Sequence, residues 1–115
     1  MIPFANRFHG HSSLNYVYRN GQAIHSHFFT IKIIANPRRQ VSRAAVIVSK
    51  KILKGAVKRN RVRRQVYEYI SKLLPQLKGV YDIAIIVSSG ELFTTPHAEI
   101  YTQLDQLFNQ ISIKK

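Results

Sequence analysis

The chain has 115 residues, 45% of them hydrophobic, and a formal net charge of +13 at neutral pH. That length and apolar content predict one folded domain over residues 1–115 and exclude a disordered basic tail. The absence of cysteine excludes disulfides, thiolate zinc sites and thiol nucleophiles.

The positive charge is concentrated in the first part of the chain. No acidic residue precedes Glu68, whereas the first 67 residues carry fourteen Lys and Arg, eleven of them between Arg38 and Arg64. Such an excess repels itself in a compact chain and predicts a polyanionic partner, with nucleic acid the first choice. The apolar stretches are too short to cross a bilayer and the first residues do not form an export signal, so we expect a cytoplasmic protein.

The first elements in chain order are a short helix and two strands. The helix is predicted over residues 12–19, with Ser12 or Ser13 as N-cap and Gly21 just beyond its end. A brief strand is predicted near residues 22–25. The aromatic and β-branched stretch 28–35 predicts a second strand, which stops at Asn36-Pro37 and leads into a hairpin. Residues 1–9 are predicted to be a flexible N-terminus.

A long helix is predicted between two nearly continuous apolar runs, residues 43–49 and 83–87, which are typical of central strands covered on both faces. It starts near Gly55 or Ala56 and runs to about Leu74, because Pro75 lacks an amide donor. Its apolar arc comprises Val62, Val66, Tyr69, Ile70, Leu73 and Leu77, the last only if a further turn forms. The opposite arc carries Asn60, Arg61 and Arg64, flanked by Arg63. Arg59 is expected to lean past the end of the core.

The final predicted helix has Thr95 as N-cap and Pro96 at its first position. Its apolar stripe comprises Ile100, Tyr101, Leu104, Leu107, Phe108 and Ile111. The order is therefore helix, two or three strands, long basic helix, strand, helix. This order predicts an α/β fold, an α+β sandwich, with a strand–helix–strand crossover. Asp82, at the start of the last strand, is interpreted as a turn or cap residue.

The most specific chemistry lies in the segment from Lys50 to Arg64. A generic basic helix needs only cations on one face, whereas here Asn60 adds an amide between two arginines. Arginines bind phosphates through paired donors or stack on exposed bases, and an amide can fix loop backbone or a sugar hydroxyl. Candidate nucleic-acid contacts are therefore Lys50, Lys51, Lys54, Lys58, Arg59, Asn60, Arg61, Arg63 and Arg64.

This segment resembles the protein subunit of bacterial ribonuclease P. The matching residues are Val48-Ser49-Lys50-Lys51, Ala56-Val57, Arg59-Asn60-Arg61, Arg63-Arg64 and Tyr81-Asp82-Ile83. Arg7-Phe8, the first helix ending at Arg19-Asn20-Gly21, and the terminal helix fall in the family's order. The resemblance thus covers residues 8–108, nearly the whole chain.

The resemblance implies an accessory role in an endoribonuclease whose catalyst is RNA. In the family, a large RNA subunit with bound magnesium removes the 5′ leader of precursor transfer RNA, and the protein assists. The basic segment would then dock on that RNA, and no catalytic or metal-binding residue is assigned to this chain. The cleft between the first helix and the open sheet face would take the single-stranded leader, lined by Leu14, Val17, Tyr18, Phe29 and Lys32. The resemblance also implies a left-handed crossover, against the usual preference.

The leader assignment leaves alternatives open. Leu14 stands where relatives commonly have an aromatic ring, and Lys32 where some have tyrosine, which implies weaker stacking and stronger phosphate attraction. Tyr18 and Phe29 suit the core as well as a stacking platform. His25 and His27, two residues apart, are interpreted as a surface pair because no third metal ligand accompanies them.

Two other classes compete with an accessory subunit of an RNA enzyme. A purely structural RNA-binding protein, such as a ribosomal component, would share the charge. A DNA-binding module is disfavoured because the sequence shows no helix-turn-helix pair, dimerisation heptad or finger ligands. Membrane attachment is disfavoured because the core needs the apolar stripe of the basic helix.

Overall fold

The computed structural model describes residues 4–8 and 11–114. Within these residues there are three α-helices: α1 (His11–Asn20), α2 (Ala56–Leu73) and α3 (His97–Asn109). Four strands form one sheet: β1 (Gln22–His25), β2 (Phe29–Ala35), β3 (Arg43–Ile47) and β4 (Tyr81–Val87). Short 3-10 helices span Phe4–Asn6, Leu74–Gln76 and Gly90–Thr94. This order confirms the predicted α+β class. None of the helices in these ranges is long and apolar enough to cross a membrane.

The strand order in the sheet is β1-β2-β4-β3, which differs from the sequence prediction in two ways. First, β2 forms no hairpin with β3, because it pairs antiparallel with β1 on one side and with β4 on the other. The residues after β2 instead carry the chain past β4. Second, only β4 of the two apolar runs is central, and β3 lies at the edge, where Arg7 forms an isolated bridge to Ala44. The parallel pairing of β3 with β4 confirms the crossover through α2. Its left hand stays a prediction.

One face of the sheet, which we call the closed face, forms the core with α2 and α3. It presents alternate residues of three strands, among them Phe29, Ile31, Ile33, Ala44, Val46, Ile83, Ile85 and Val87, all buried. The predicted apolar arc of α2 is confirmed, since all six of its members are buried. Pro75 ends α2 as predicted, and the 3-10 turn around it brings Leu77 into the core.

The third helix begins one residue later than a Thr95 cap requires, so that prediction is wrong. Pro96 is the N-cap residue, and its carbonyl accepts from the amides of Glu99 and Ile100 at 3.0 and 3.1 Å. The Thr95 hydroxyl instead donates to the carbonyl of Glu91 at 2.8 Å. Apolar residues of α3 then pack against α2, and Ile100, Leu104, Leu107 and Phe108 are buried.

The opposite, open face of the sheet carries α1. This face consists of Thr30, Lys32 and Ile34 of β2, Ala45 and Ile47 of β3, and Ala84 and Ile86 of β4. Helix α1 contacts β2 and β4, and Val17 is fully buried beneath it. Because α1 begins at His11, Ser12 and Ser13 lie inside the helix and the N-cap prediction is wrong. A side chain at Gly21 would lie 2.6 Å from the Val17 carbonyl oxygen, so the tight exit from α1 requires glycine.

The predicted flexible N-terminus stays a prediction. Residues 1–3 and 9 lie outside the described residues, whereas residues 4–8 run beside β3. There the Asn6 amide donates to the Ser42 carbonyl at 2.7 Å.

An ion pair is buried where β3 and β4 begin. Arg43 and Asp82 are neighbours in the parallel ladder, and only 4% and 2% of their surfaces are exposed. Arg43 donates to the carboxylate from Nε at 2.9 Å and from Nη2 at 2.7 Å, while the Asn36 amide donates to it at 2.8 Å. The Phe8 ring covers the guanidinium at 4.6 Å. Asp82 is therefore not a turn or cap residue, as the sequence suggested, but the partner of a buried arginine.

Candidate nucleic-acid interface

The basic segment lies at the carboxyl ends of β3 and β4. In a parallel crossover the helix runs against the strands, so α2 starts at that edge of the sheet. The loop before it forms a tight turn, with the amides of Ile52 and Leu53 both bonded to the Ser49 carbonyl. Gly55 then adopts a φ of 90°, which L side chains rarely tolerate. Loop and first turns together present what we call the basic surface: Lys50, Lys51, Lys54, Lys58, Arg59, Asn60, Arg61, Arg63 and Arg64.

Most of the basic surface is exposed and free of acidic partners. Seven of its nine members are exposed, and only Arg59 and Arg63 are half-buried. Among the described residues, ion pairs join Arg43 to Asp82 and Lys114 to Asp105, and His27 and His97 contact the carboxylates of Glu91 and Glu68. None of these pairs involves the eight cations of the basic surface. Their charge is therefore available to a polyanion.

Two members of the basic surface also organise it. Arg59 donates from Nη1 to the Leu53 carbonyl at 3.2 Å, which ties the first turn of α2 to the preceding loop. This contact agrees with the prediction that Arg59 leans past the end of the core. Asn60 accepts a hydrogen bond from Arg63 Nη1 at 2.5 Å through its side-chain oxygen, one turn along the helix. The amide thus orients an arginine, and its nitrogen is left to donate.

A ring that the sequence prediction missed supports the same surface. Lys58 Nζ and the Arg61 guanidinium both lie 5.4 Å from the centre of the Phe93 ring. Phe93 belongs to the 3-10 helix after β4 and is half-buried. Its contact with two cations one turn apart fixes where their charges project. In the sequence Phe93 is a single aromatic residue outside any periodic pattern, so nothing there indicates its partners.

The predicted leader site is only partly brought together. Leu14 and Tyr18, one turn apart on α1, and Lys32 of the open face lie on one side of the helix, in the region that we call the α1 groove. All three are half-buried, and Lys32 Nζ donates to the Tyr18 carbonyl at 3.1 Å. Burial raises the pKa of the Tyr18 hydroxyl above its usual value.

Val17 and Phe29 cannot line this groove as predicted, because both are fully buried. Val17 is the residue through which α1 seats on the sheet. Phe29 lies on the closed face, opposite the groove, because successive strand residues point to opposite faces. The residue of β2 that faces the α1 groove is therefore Thr30 and not Phe29.

Polar side chains continue the open face beyond Thr30. The Thr30 hydroxyl lies 3.2 Å from His25 Nδ1 and 3.3 Å from the Ser88 hydroxyl. His27 lies outside β1 and pairs with Glu91 at 2.9 Å, so the two histidines have separate partners. Within the described ranges, no three His, Asp or Glu side chains gather as a metal site. The row formed by His25, Thr30 and Ser88 can donate hydrogen bonds to a bound single strand and accept them from it.

The fold and these surfaces define a class: a small basic α+β protein that presents an unpaired cationic helix face and an open sheet face, as nucleic-acid-binding proteins do. The comparisons with known proteins make this specific. A family model described as Ribonuclease P matches residues 2–112, and the chain therefore belongs to the ribonuclease P protein family.

Relatives and solved structures agree with this membership. The chain is 33% identical over 89 residues to the ribonuclease P protein component of a Pseudanabaena strain, which covers 77% of each chain. It is 34% identical over 80 residues to that of Chloroflexus aurantiacus, covering 70% of this chain and 58% of the other. The Staphylococcus aureus RNase P protein superposes with a TM-score of 0.84 at 20% identity, covering 96% and 98%. The Thermotoga maritima RNase P protein gives 0.79 at 20% identity, covering 92% and 97%. These two likenesses show the fold.

Membership in the family settles the broad role. The chain is an accessory protein subunit of an endoribonuclease that processes transfer RNA, and its partner is RNA. The rival interpretation as a structural RNA-binding protein, such as a ribosomal component, finds no support among these relatives.

Proposed function

We propose that this chain docks on the catalytic RNA of ribonuclease P through its basic surface and holds the 5′ leader of precursor transfer RNA in the α1 groove. Cleavage then belongs to the RNA and its magnesium ions, and this chain supplies binding and positioning rather than catalytic residues. The setting is the bacterial cytoplasm.

The observation that carries the proposal is the unpaired charge of the basic surface. Eight cations project from one loop and the first turns of one helix, and none of the ion pairs within the described part of the chain involves them. Such a cluster destabilises the free protein through self-repulsion and is relieved by a polyanion. Fixed arginine donors favour phosphates and exposed bases of a folded RNA.

The α1 groove supports leader binding through the chemistry of its side chains. Tyr18 contributes a half-buried ring, the Lys32 ammonium lies on the Tyr18 carbonyl, and the open face continues to the hydroxyls of Thr30 and Ser88. A single strand can stack a base on the ring, place a phosphate near the lysine and use the hydroxyls for hydrogen bonds. The ring and the lysine act on any sequence, so the hydroxyl row is the part that can discriminate bases.

Reconstitution tests the proposal. The chain is combined with a bacterial ribonuclease P RNA at limiting magnesium, and accurate 5′ cleavage of precursor transfer RNA is measured. We expect the protein to restore cleavage at the correct position. Binding without any rescue of cleavage would instead indicate a structural RNA-binding protein.

The leader assignment has its own variant. Tyr18→Leu keeps apolar bulk against the sheet but removes the ring, so affinity for leader-bearing substrate should fall by about fivefold or more, the loss of one stacked base. Affinity for mature transfer RNA, which lacks a leader, serves as the control and should not change. Equal losses on both substrates would contradict a leader contact at Tyr18.

A further inference from the structure

A second groove lies on the opposite side of α1 from Tyr18. Successive helical residues point about 100° apart, so Tyr16 and Tyr18 flank the buried Val17 on opposite sides. Tyr18 borders Lys32, whereas Tyr16 borders the next open-face residue of β2, Ile34, and the turn that follows. Helix α1 therefore divides the open face, and each side carries one tyrosine.

The space beside Tyr16, which we call the Tyr16 cleft, has a volume of about 410 Å³ and is lined by Tyr16, Ile34, Asn36, Arg38 and Asp82 among others. Tyr16 is 58% exposed, and within the described residues it is the sole aromatic among the exposed large hydrophobic side chains. Ile34 supplies an apolar floor facing the open side. A flat ring over an apolar floor suits a flat apolar ligand group.

The rim of the Tyr16 cleft is positive. Arg38 lines it and Arg39 follows in the same exposed turn, while Arg19 borders an adjoining space beside Tyr16. The carboxylate at the cleft belongs to Asp82, and both of its oxygens are occupied by the buried Arg43 and by Asn36. The ion pair with Arg43 compensates that negative charge, so the arginines set the sign of the cleft. An anionic ligand fits it.

We propose that the Tyr16 cleft binds an unpaired nucleotide of RNA, with the base stacked on Tyr16 and the phosphate held by Arg38. An amide completes the site: Asn36 bonds Asp82 through its nitrogen, which leaves its side-chain oxygen to accept from a base edge. The Tyr16 cleft is separate from the basic surface and from the α1 groove. It rests on the proposed function only because its ligand is taken to be RNA.

Amide shifts of the full-length protein, followed by NMR during titration with a short single-stranded oligoadenylate, test the site. We expect the amides of Tyr16, Asn36 and Arg38 to shift together. Tyr16→Ala should weaken the affinity read at Asn36 and Arg38 by about fivefold to over a hundredfold, the effect of one lost base stack. Tyr16→Phe should retain it. Arg38→Ala should weaken it and reduce the logarithmic salt dependence by roughly 0.7, as for one phosphate contact on a single strand.

The controls separate this site from its neighbours. Lys72→Ala removes a cation from α2, on the closed side of the sheet, and should leave the cleft affinity unchanged. If the cleft amides do not shift with RNA, the inference is overturned, and equal shifts with polyglutamate would overturn it in favour of an acidic peptide. Shifts at the cleft but none at Tyr18 and Lys32 would support this site while contradicting the proposed leader groove.

Discussion

Arg43 and Asp82 show how a single pair of residues can decide the stability of a sheet. Both are almost fully buried, and each would be costly to bury alone because a charge loses its hydration. Paired donors from the guanidinium and a third from Asn36 occupy the carboxylate, and Phe8 covers the guanidinium. The pair joins adjacent strands at the base of the Tyr16 cleft, so it links the stability of the fold to the geometry of that cleft.

Removing one partner of this pair should be strongly destabilising. Arg43→Ala leaves the Asp82 carboxylate buried without its countercharge, and we expect the free energy of unfolding to fall by about 3–5 kcal/mol. Urea denaturation measures the change. Arg38→Ala, an exposed arginine in the preceding turn, is the matched control and should alter stability by less than about 0.5 kcal/mol. A loss below about 1 kcal/mol in Arg43→Ala would contradict the assigned role.

At the scale of single residues, the sequence predicted the chemistry of the functional side chains better than the direction in which those side chains point. The cations of the basic surface were identifiable because a run of basic residues without acidic neighbours can be recognised in the sequence, whichever way its side chains point. Phe29 was misplaced because a strand alternates its faces, so an error of one position exchanges core for groove. Asp82 was misread for another reason: its partner lies 39 positions away along the chain, and no local pattern connects the two.

At the scale of elements, the loop from Ser49 to Gly55 brings the cations of the basic segment together on one surface. It packs against the start of the 3-10 helix after β4, so that Phe93 can contact Lys58 and Arg61. The helices were predictable because periodicity and Pro75 act locally. The strand order was not, since the pairing of β2 with β4 joins segments separated by the whole of β3 and α2. Such pairing depends on which apolar faces meet, not on any one segment.

Gly90 controls this packing, because a Cβ atom there would lie 2.6 Å from the Ile52 carbonyl oxygen. Gly90→Ala must therefore displace the backbone of the loop, and we expect a loss of roughly 1–3 kcal/mol in the free energy of unfolding. RNA affinity should fall with it, since Lys50, Lys51 and Lys54 belong to that loop. Chemical denaturation and RNA titration measure the two effects.

The matched control for this variant is Gly79→Ala. A Cβ atom at Gly79 would lie 3.4 Å from the Tyr81 ring, an ordinary contact, so both stability and RNA affinity should stay near wild type. If Gly90→Ala proved as stable as Gly79→Ala, the close approach of the two loops would not matter in solution.

At the scale of the whole molecule, cations gather at both ends of β3, one of the two edge strands of the sheet. Arg38 and Arg39 precede β3, and Lys50 follows it, so the two groups are separated by about the 16 Å length of a five-residue strand. Helix α1 and its two tyrosines lie between them on the open face. An RNA surface could therefore contact the basic surface while single strands pass on either side of α1. Two carboxylates near these groups have partners of their own, since Asp82 is bound by Arg43 and Glu91 contacts His27.

The salt dependence of assembly tests this division of the charge. Arg61→Ala combined with Arg64→Ala removes two exposed cations from the basic surface, so binding to the catalytic RNA should weaken. Its logarithmic salt slope should also fall in magnitude by roughly 1.4–1.8, because each lost phosphate contact no longer releases counterions. Lys72→Ala, on the same helix but beside Tyr101 of α3, should leave the slope unchanged. A double variant with the wild-type slope would show that the RNA docks elsewhere, and a Lys72 variant with a reduced slope would show that only net charge matters.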